Sequence, residues 1–337
     1  MIGWRKGHHR HTHHSREAEG IAIIYLVPLI TAFLIGFGLT PLVRVIALHL
    51  RFVDKPSQRK IHVEPIPLMG GLAIYGSVML TMLVFDGLSP RSWSLIIGGT
   101  ALLAIGLTDD WHKSRGREFP VWPRLIVYAA VSIVPLWFGI GISGVSNPFA
   151  GGMILFPEWL TWLATMIWTF ALMNMVNFID GVDGLAAGIV MVSALTLFIV
   201  AVLKGQHGSA LMGAILAGSC LSFLNYNFYP AQIFMGDAGS VFLGYAIAVL
   251  AVDGAFKSAT VISILVPFLA VGVPILDTLI VFSRRLLSHR ALYRADKLHT
   301  HHRLLDRGFT QVQTVSLLYV TGILLAMVSI LLVLMNV

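Results

Sequence analysis

The feature that most constrains this chain is the recurrence, along nearly its whole length, of apolar runs long enough to cross a bilayer. Ten fall at roughly Ile21–Leu42, Met69–Phe85, Trp93–Thr108, Pro123–Ile142, Trp159–Val176, Gly184–Leu203, Gly208–Asn225, Gly239–Val252, Ala259–Phe282 and Val312–Met335. A helix rises about 1.5 Å per residue, so about 20 residues cross a hydrocarbon core roughly 30 Å thick. Hydrocarbon offers backbone N–H and C=O groups no partner, and a helix satisfies them within its own segment. The expectation is an all-α polytopic membrane protein with about ten transmembrane helices. Charged residues make up 12% of the 337 and hydrophobic ones 57%, whereas a soluble domain carries about 25% charge. Residues 21–337 therefore read as one integral membrane domain.

The net charge of +7 is then a matter of loop placement, and no nucleic-acid partner is expected. The loops after the first, third and ninth runs carry nearly all the basic residues: Arg44, Arg51, Lys55, Arg59 and Lys60; Lys113, Arg115, Arg117 and Arg124; and Arg284, Arg285, Arg290, Arg294, Lys297, Arg303 and Arg307. The loops after the second, fourth, sixth and eighth hold only Arg91, Lys204 and Lys257. The positive-inside rule puts the odd-numbered loops in the cytoplasm. The tail residues Arg5, Lys6, Arg10 and Arg16 vote the other way and are outnumbered. The polar stretch 1–20, with His8, His9, His11, His13 and His14, reads as a disordered extension. Cys220, the single cysteine, lies within an apolar run and reads as a small buried hydrophobe.

The polar clusters fall on the same odd-numbered loops. Arg59-Lys60-Ile-His62 and Gly70-Gly71 follow the first run, and Asp109-Asp110 the third. Asn174-Met-Val-Asn177-Phe-Ile-Asp180-Gly-Val-Asp183-Gly184 follows the fifth. Asn227 through Phe234-Met-Gly236-Asp237 follows the seventh, and His299-Thr-His301-His302-Arg303 the ninth. Five loops on one surface are what a single active site requires. Five aspartates at span ends repel one another unless a counter-charge joins them. Mg²⁺, or Mn²⁺ in its stead, needs only one or two carboxylates besides phosphate oxygens and water. Histidines and arginines supply donors for phosphate. Metal, basic clamp and proton acceptor are the parts of a phosphoryl-transfer site.

Taken singly, each motif has a plain reading. Asp109-Asp110 suits a solvated loop end, Asn-Phe-Ile-Asp-Gly-Val-Asp-Gly a turn, and His-Thr-His-His a solvated basic loop. Asp277, after Pro274, reads as a hydrogen-bonded residue at a helix break, and Asp86 and Asp253 as span ends on the opposite face. An ion-coupled transporter would carry its acids near the midplane rather than at span ends. An intramembrane aspartyl protease would need a glycine where Phe234 stands. The case for chemistry is co-location.

These segments together resemble the polyprenyl-phosphate N-acetylhexosamine-1-phosphate transferases. The matching stretches are Asp54-Lys-Pro-Ser-Gln-Arg-Lys-Ile-His62 with Pro67-Leu-Met-Gly-Gly71, Asp109-Asp110, Asn177 through Ala186, Asn227 through Ser240, and Arg294 through Leu304. Pro-Leu-Met-Gly-Gly and His-Thr-His-His are similar to the branch that primes O-antigen, common-antigen or teichoic-acid synthesis. They differ from the branch that transfers phospho-MurNAc-pentapeptide in peptidoglycan synthesis. Thr300 and Leu68 depart from that first branch's usual residues. The resemblance implies transfer of N-acetylhexosamine-1-phosphate from a UDP-N-acetylhexosamine to undecaprenyl phosphate, in a bacterial inner membrane, with the active site facing the cytoplasm. It implies Asp237 and Asp110 as Mg²⁺ ligands, and Asp109, Asp110, Asp180 and Asp183 as the catalytic acids. Lys60, His62, Asn174, Asn177, Asn227 and Phe234 become substrate-binding residues, Phe234 as a stacking partner for uracil. His299, His301, His302 and Arg303 would hold the diphosphate and sugar. Membrane lipid is an expected partner, and a homodimer is left open.

Overall fold

The computed structural model describes residues 7–54, 65–146, 153–254, 262–287 and 299–335. Helix α1 (Gly7–His49) leads to a short hairpin, β1 (Val53–Asp54) and β2 (Ile66–Pro67), followed by α2 (Gly70–Phe85), α3 (Pro90–Ser114), α4 (Val121–Val131) and α5 (Val134–Trp137). A second hairpin, β3 (Gly144–Ser146) and β4 (Met153–Leu155), precedes α6 (Glu158–Ile179), α7 (Leu185–Leu203), α8 (His207–Asn227) and α9 (Gly236–Gly254). Then come α10 (Ile262–Ala270), α11 (Gly272–Leu287), α12 (Thr300–Asp306) and α13 (Gln311–Leu334). Among the described residues seven helices are long and apolar enough to cross a membrane: α1 over Ile23–His49, α3, α6, α7, α8, α9 and α13. Helix α2 and the α4–α5 pair are shorter apolar segments, and α10 with α11 covers the ninth expected run. The all-α polytopic architecture is as expected. Helix α1 begins at Gly7, upstream of the expected span start at Ile21.

Two expected spans are each split in two, and proline chemistry accounts for both. A proline has no N–H for the carbonyl four residues back, and its ring collides with that carbonyl. Pro135 would face the carbonyl of Val131, where α4 ends. Pro274 would face that of Ala270, where α10 ends. Pro41, inside α1, does not break its helix. The carbonyl it leaves open, that of Phe37, accepts the Tyr226 hydroxyl from α8 at 3.0 Å, the kind of repair that lets proline persist in a span.

Helix α9 is the axis of the bundle. Every residue from Gly236 to Gly254 except Asp237 is buried, against α6, α3, α2, α7 and α8. Helices α1 and α13 instead expose Leu34, Val45, Leu324 and Leu331, as lipid-facing elements do. The axis is gripped tightly at its start. A β-carbon on Gly106 of α3 would lie 2.3 Å from the α-carbon of Ala238, and one on Gly71 of α2 would lie 2.4 Å from the Gly239 nitrogen. Small residues at these crossings let backbones approach. At the other end of α9, buried Asp253 accepts Arg91 Nη1 at 3.2 Å and the Ser209 hydroxyl at 2.7 Å, while Arg91 forks onto Asp86 with two 3.2 Å bonds. The two aspartates read as span ends on the far face thus share one arginine.

Candidate active site

Chain direction alternates through the bundle, so the C-terminal ends of α1, α3, α6 and α8 meet the N-terminal ends of α2, α4, α7, α9 and α13. At this end lies a cavity of about 810 Å³. Its wall includes Asp110, Lys113, Asp180, Asp183, Asn227, Phe234, Asp237 and His302. Asp110 at the end of α3, Asp183 in the loop after α6 and Asp237 at the start of α9 therefore share one site.

The closest grouping is where α3 ends against the start of α9. Lys113, one helical turn beyond Asp109, reaches Asp109 Oδ2 at 3.0 Å and Asp237 Oδ2 at 2.7 Å. Arg124 of α4 reaches the same two oxygens at 2.7 and 3.0 Å. Two carboxylates are thus bridged by two cations, which relieves the repulsion that their proximity creates. Asp110 has a different task. Its Oδ1 and Oδ2 accept the backbone N–H groups of Asp237 and Ala238 at 3.1 and 3.2 Å, satisfying amides that the first turn of α9 leaves open. Gly236 has φ of +70°, and a β-carbon there would lie 2.3 Å from Asp110 Oδ2. The Met-Gly-Asp sequence needs its glycine for both reasons.

The acidic loop after α6 is held from beneath. Asn227 accepts the Gly184 N–H at 3.1 Å and donates to the Ile233 carbonyl at 2.9 Å, tying the loop after α6 to the loop after α8. Asp183 accepts the Ala231 N–H at 3.0 Å across the same junction. Asp180 ends α6 and is pushed up to about 7, chiefly by burial and then by the charge of Asp237. Asn177 donates to the Ser240 hydroxyl at 2.8 Å and fastens α6 to α9. Asn174 donates to the Phe170 carbonyl of its own helix at 2.7 Å. Neither Asn174 nor Asn177, both expected at the nucleotide, forms part of the cavity wall.

The histidine segment forms α12. His299 precedes it and His301 is buried within it. The rings of His299 and His301 are nearly parallel, 5.8 Å apart, and His301 lies 4.3 Å from His302. His301 faces the acidic loop, since a β-carbon on Gly181 would sit 2.4 Å from its Nε2. That Nε2 is buried without a hydrogen-bond partner among the described residues. Burial first, then the neighbouring His302, pulls the ring down to about 3, so it is neutral near pH 7. His302 reaches the cavity wall, whereas His299, His301 and Arg303 do not. Asp109 too stands behind the wall, in contact with the wall residue Lys113 and with Arg124, which is itself outside the wall. Lys60 and His62 lie outside the described residues.

Some residues in the wall or just behind it have no counterpart among the expected site residues. Lys113 and Arg124 were legible only as loop charges, although the four-residue step from Asp109 to Lys113 is a helical ion-pair spacing. Arg44, whose Nε donates to the Gln232 carbonyl at 3.2 Å, and Gln311 at the start of α13 also line the cavity. Among the described residues no three or more His, Cys, Asp or Glu side chains are grouped to hold a metal by themselves.

Comparison with known proteins points to one family. The model for glycosyl transferase family 4 matches residues 92–255. A Bacillus subtilis protein described as a probable undecaprenyl-phosphate N-acetylglucosaminyl 1-phosphate transferase is 34% identical over 93% of this chain and 85% of its own length. The decaprenyl-phosphate N-acetylglucosaminephosphotransferase of Mycobacterium leprae is 34% identical over 86% of this chain and 79% of its own. The Escherichia coli undecaprenyl-phosphate alpha-N-acetylglucosaminyl 1-phosphate transferase is 28% identical, over 90% and 82%.

Proposed function

The chain belongs to the polyprenyl-phosphate N-acetylhexosamine-1-phosphate transferases, and on that premise we propose that it moves N-acetylglucosamine-1-phosphate from UDP-N-acetylglucosamine to undecaprenyl phosphate at the cytoplasmic face of a bacterial inner membrane. An oxygen of the lipid phosphate attacks the β-phosphorus of the donor. The bond from that phosphorus to the bridging oxygen breaks, and UMP leaves with the electron pair. The products are UMP and a polyprenyl-diphospho-sugar, the first lipid-linked unit of a surface polysaccharide. The observation that carries this reading is the bridging of Asp109 and Asp237 by Lys113 and Arg124 beside a cavity of about 810 Å³.

Charge decides what else the site needs. Among the described residues the cavity wall offers Asp54, Asp110, Asp180, Asp183 and Asp237 against Arg44 and Lys113. A diphosphate and a phosphate monoester would enter an acidic pocket only with added positive charge. A divalent cation fits this donor set, with Asp237 its first ligand, because Asp237 is the acidic end of α9 that retains access to the cavity. Mg²⁺ there would neutralise diphosphate oxygens and stabilise the charge that develops on the leaving phosphate. The chain's own residues do the rest. Lys113 and Arg124 exchange carboxylate for phosphate oxygens as substrate arrives, and Asp109, freed from them, accepts a proton from the lipid phosphate. Asp110 holds the start of α9 still. Phe234 and Asn227 border the nucleotide, and His302 faces the diphosphate.

The test is direct. Purified protein is assayed for UMP release and lipid product with a panel of UDP-sugars, including UDP-MurNAc-pentapeptide, with and without Mg²⁺. UDP-N-acetylglucosamine should give both products, and Asp237→Ala should lose at least 100-fold in kcat. Product from the pentapeptide donor alone would overturn the sugar assignment, and full activity of Asp237→Ala would remove the proposed metal site.

A further inference from the structure

Asp277 lies on α11, outside the wall of the main cavity, and is 4% exposed. Its carboxylate accepts two hydrogen bonds from the histidine segment: Oδ2 from His299 Nδ1 at 2.7 Å and Oδ1 from the Thr300 backbone N–H at 2.7 Å. Thr300 is the first residue of α12. One side chain on a neighbouring helix thereby caps α12 and fixes the ring just ahead of it. An ionised carboxylate can only accept, so a His299 proton is held on Nδ1. The fixed ring packs in parallel on His301, which is wedged against Gly181 and in turn contacts His302 at the cavity wall. The Phe178 ring lies 5.6 Å from that of His299.

We infer that Asp277 is a positioning residue for the transfer reaction, one that sets the tautomer and orientation of His299 and, through the row of rings, the place of His302 over the diphosphate. Asp277 touches no substrate. It acts as a carboxylate behind a metal-binding histidine acts, where losing the partner costs about 10- to 100-fold in metal affinity or activity although the histidine remains. The inference rests on the proposed reaction occurring at this cavity.

The Asp277→Asn variant separates a tautomer-setting role from mere capping. Its amide oxygen still accepts the Thr300 N–H, so α12 keeps its cap. Its NH₂ group meets His299 Nδ1 as a donor and drives the ring proton to Nε2. The full-length protein in detergent is assayed for kcat, for KM of UDP-N-acetylglucosamine and of polyprenyl phosphate, and for thermal midpoint. Asp277→Asn should lower kcat/KM for the UDP-sugar about 10- to 100-fold while the midpoint and the KM for polyprenyl phosphate stay near wild type. In a double-mutant cycle with His299→Phe, the Asn change should add little further loss. Nitrogen chemical shifts of His299 should report a protonated Nδ1 in the wild type and a protonated Nε2 in Asp277→Asn. Wild-type kinetics in Asp277→Asn, or an unchanged tautomer, overturns the inference while leaving the reaction intact. A wild-type protein that yields no lipid product overturns the reaction instead, and the nitrogen shifts still decide whether Asp277 sets the tautomer.

Discussion

Asp237 and Asp110 stand at one helix start and use their oxygens in opposite ways. Asp110 turns both inward onto backbone amides, and Asp237 directs one toward two cations at the cavity. Conservative changes should therefore part them. Asp110→Asn puts an NH₂ group against an amide N–H and should lower the thermal midpoint as well as activity, whereas Asp237→Asn should cut kcat at least 100-fold with little change in midpoint. Differential scanning fluorimetry beside the UMP assay reads both. His301 gives a pH signature. Burial holds it down to about 3 against the usual 6.5, so between those values the unfolded chain binds a proton that the folded chain does not. Its contribution to stability is present above about pH 6.5 and is lost as pH falls towards about 3. His301→Gln should unfold with a shallower loss of midpoint over that range than the wild type. The sequence announced these residues by type, since aspartates and histidines at span ends in hydrocarbon are costly without a purpose. It did not announce Lys113 and Arg124, because a cation at a span end also serves topology, and only the fold shows which carboxylates it meets. Asp277 was legible as a hydrogen-bonded residue, but its partner, 22 positions away, was not.

At the scale of elements, the bundle is organised by how closely helices approach α9. Gly106 brings the backbone of α3 against Ala238, and that contact sets Asp109 and Asp110 beside Asp237. A side chain on Gly106 would meet main-chain atoms, which cannot swing aside. Gly106→Val should cost about 1–3 kcal/mol through overpacking, visible as a lower midpoint in detergent. It should also lower kcat more than tenfold, because α3 carries the carboxylates away from α9 as it shifts. Gly38 of α1, around which a β-carbon would meet nothing, is the control, and Gly38→Ala should change neither. The spans themselves were legible as apolar runs, since length and hydropathy follow from the thickness of the bilayer. The breaks in the fourth and ninth runs were less so. Proline alone does not foretell a break, as Pro41 shows, because a distant hydroxyl from Tyr226 keeps α1 continuous. Pro28 in α1 and Pro267 in α10 likewise sit inside unbroken helices, so a proline in an apolar run does not by itself fix a break.

Across the whole molecule, the two ends of the bundle carry different charge chemistry. One gathers acids and cations around a cavity, and the other closes Asp86, Arg91, Asp253 and Ser209 into a compact network with its groups paired. The loop-charge rule would put the cavity end in the cytoplasm, and a labelling experiment tests it. Cys220 is buried, so an impermeant maleimide should not reach it and introduced cysteines report alone. Glu118 lies exposed in the turn between α3 and α4, at the cavity end, and Leu88 is 62% exposed before α3, at the other. In intact cells Leu88→Cys should be labelled and Glu118→Cys should not, and permeabilising the inner membrane should expose Glu118→Cys. The cavity end would then open to the compartment that holds UDP-sugars. The reverse pattern would put the cavity on the side without nucleotide donors, and the proposed reaction could not be fed. The loop-charge rule and the location of the nucleotide cavity are independent premises, one resting on insertion and the other on chemistry, so the same labelling outcome tests whether they agree.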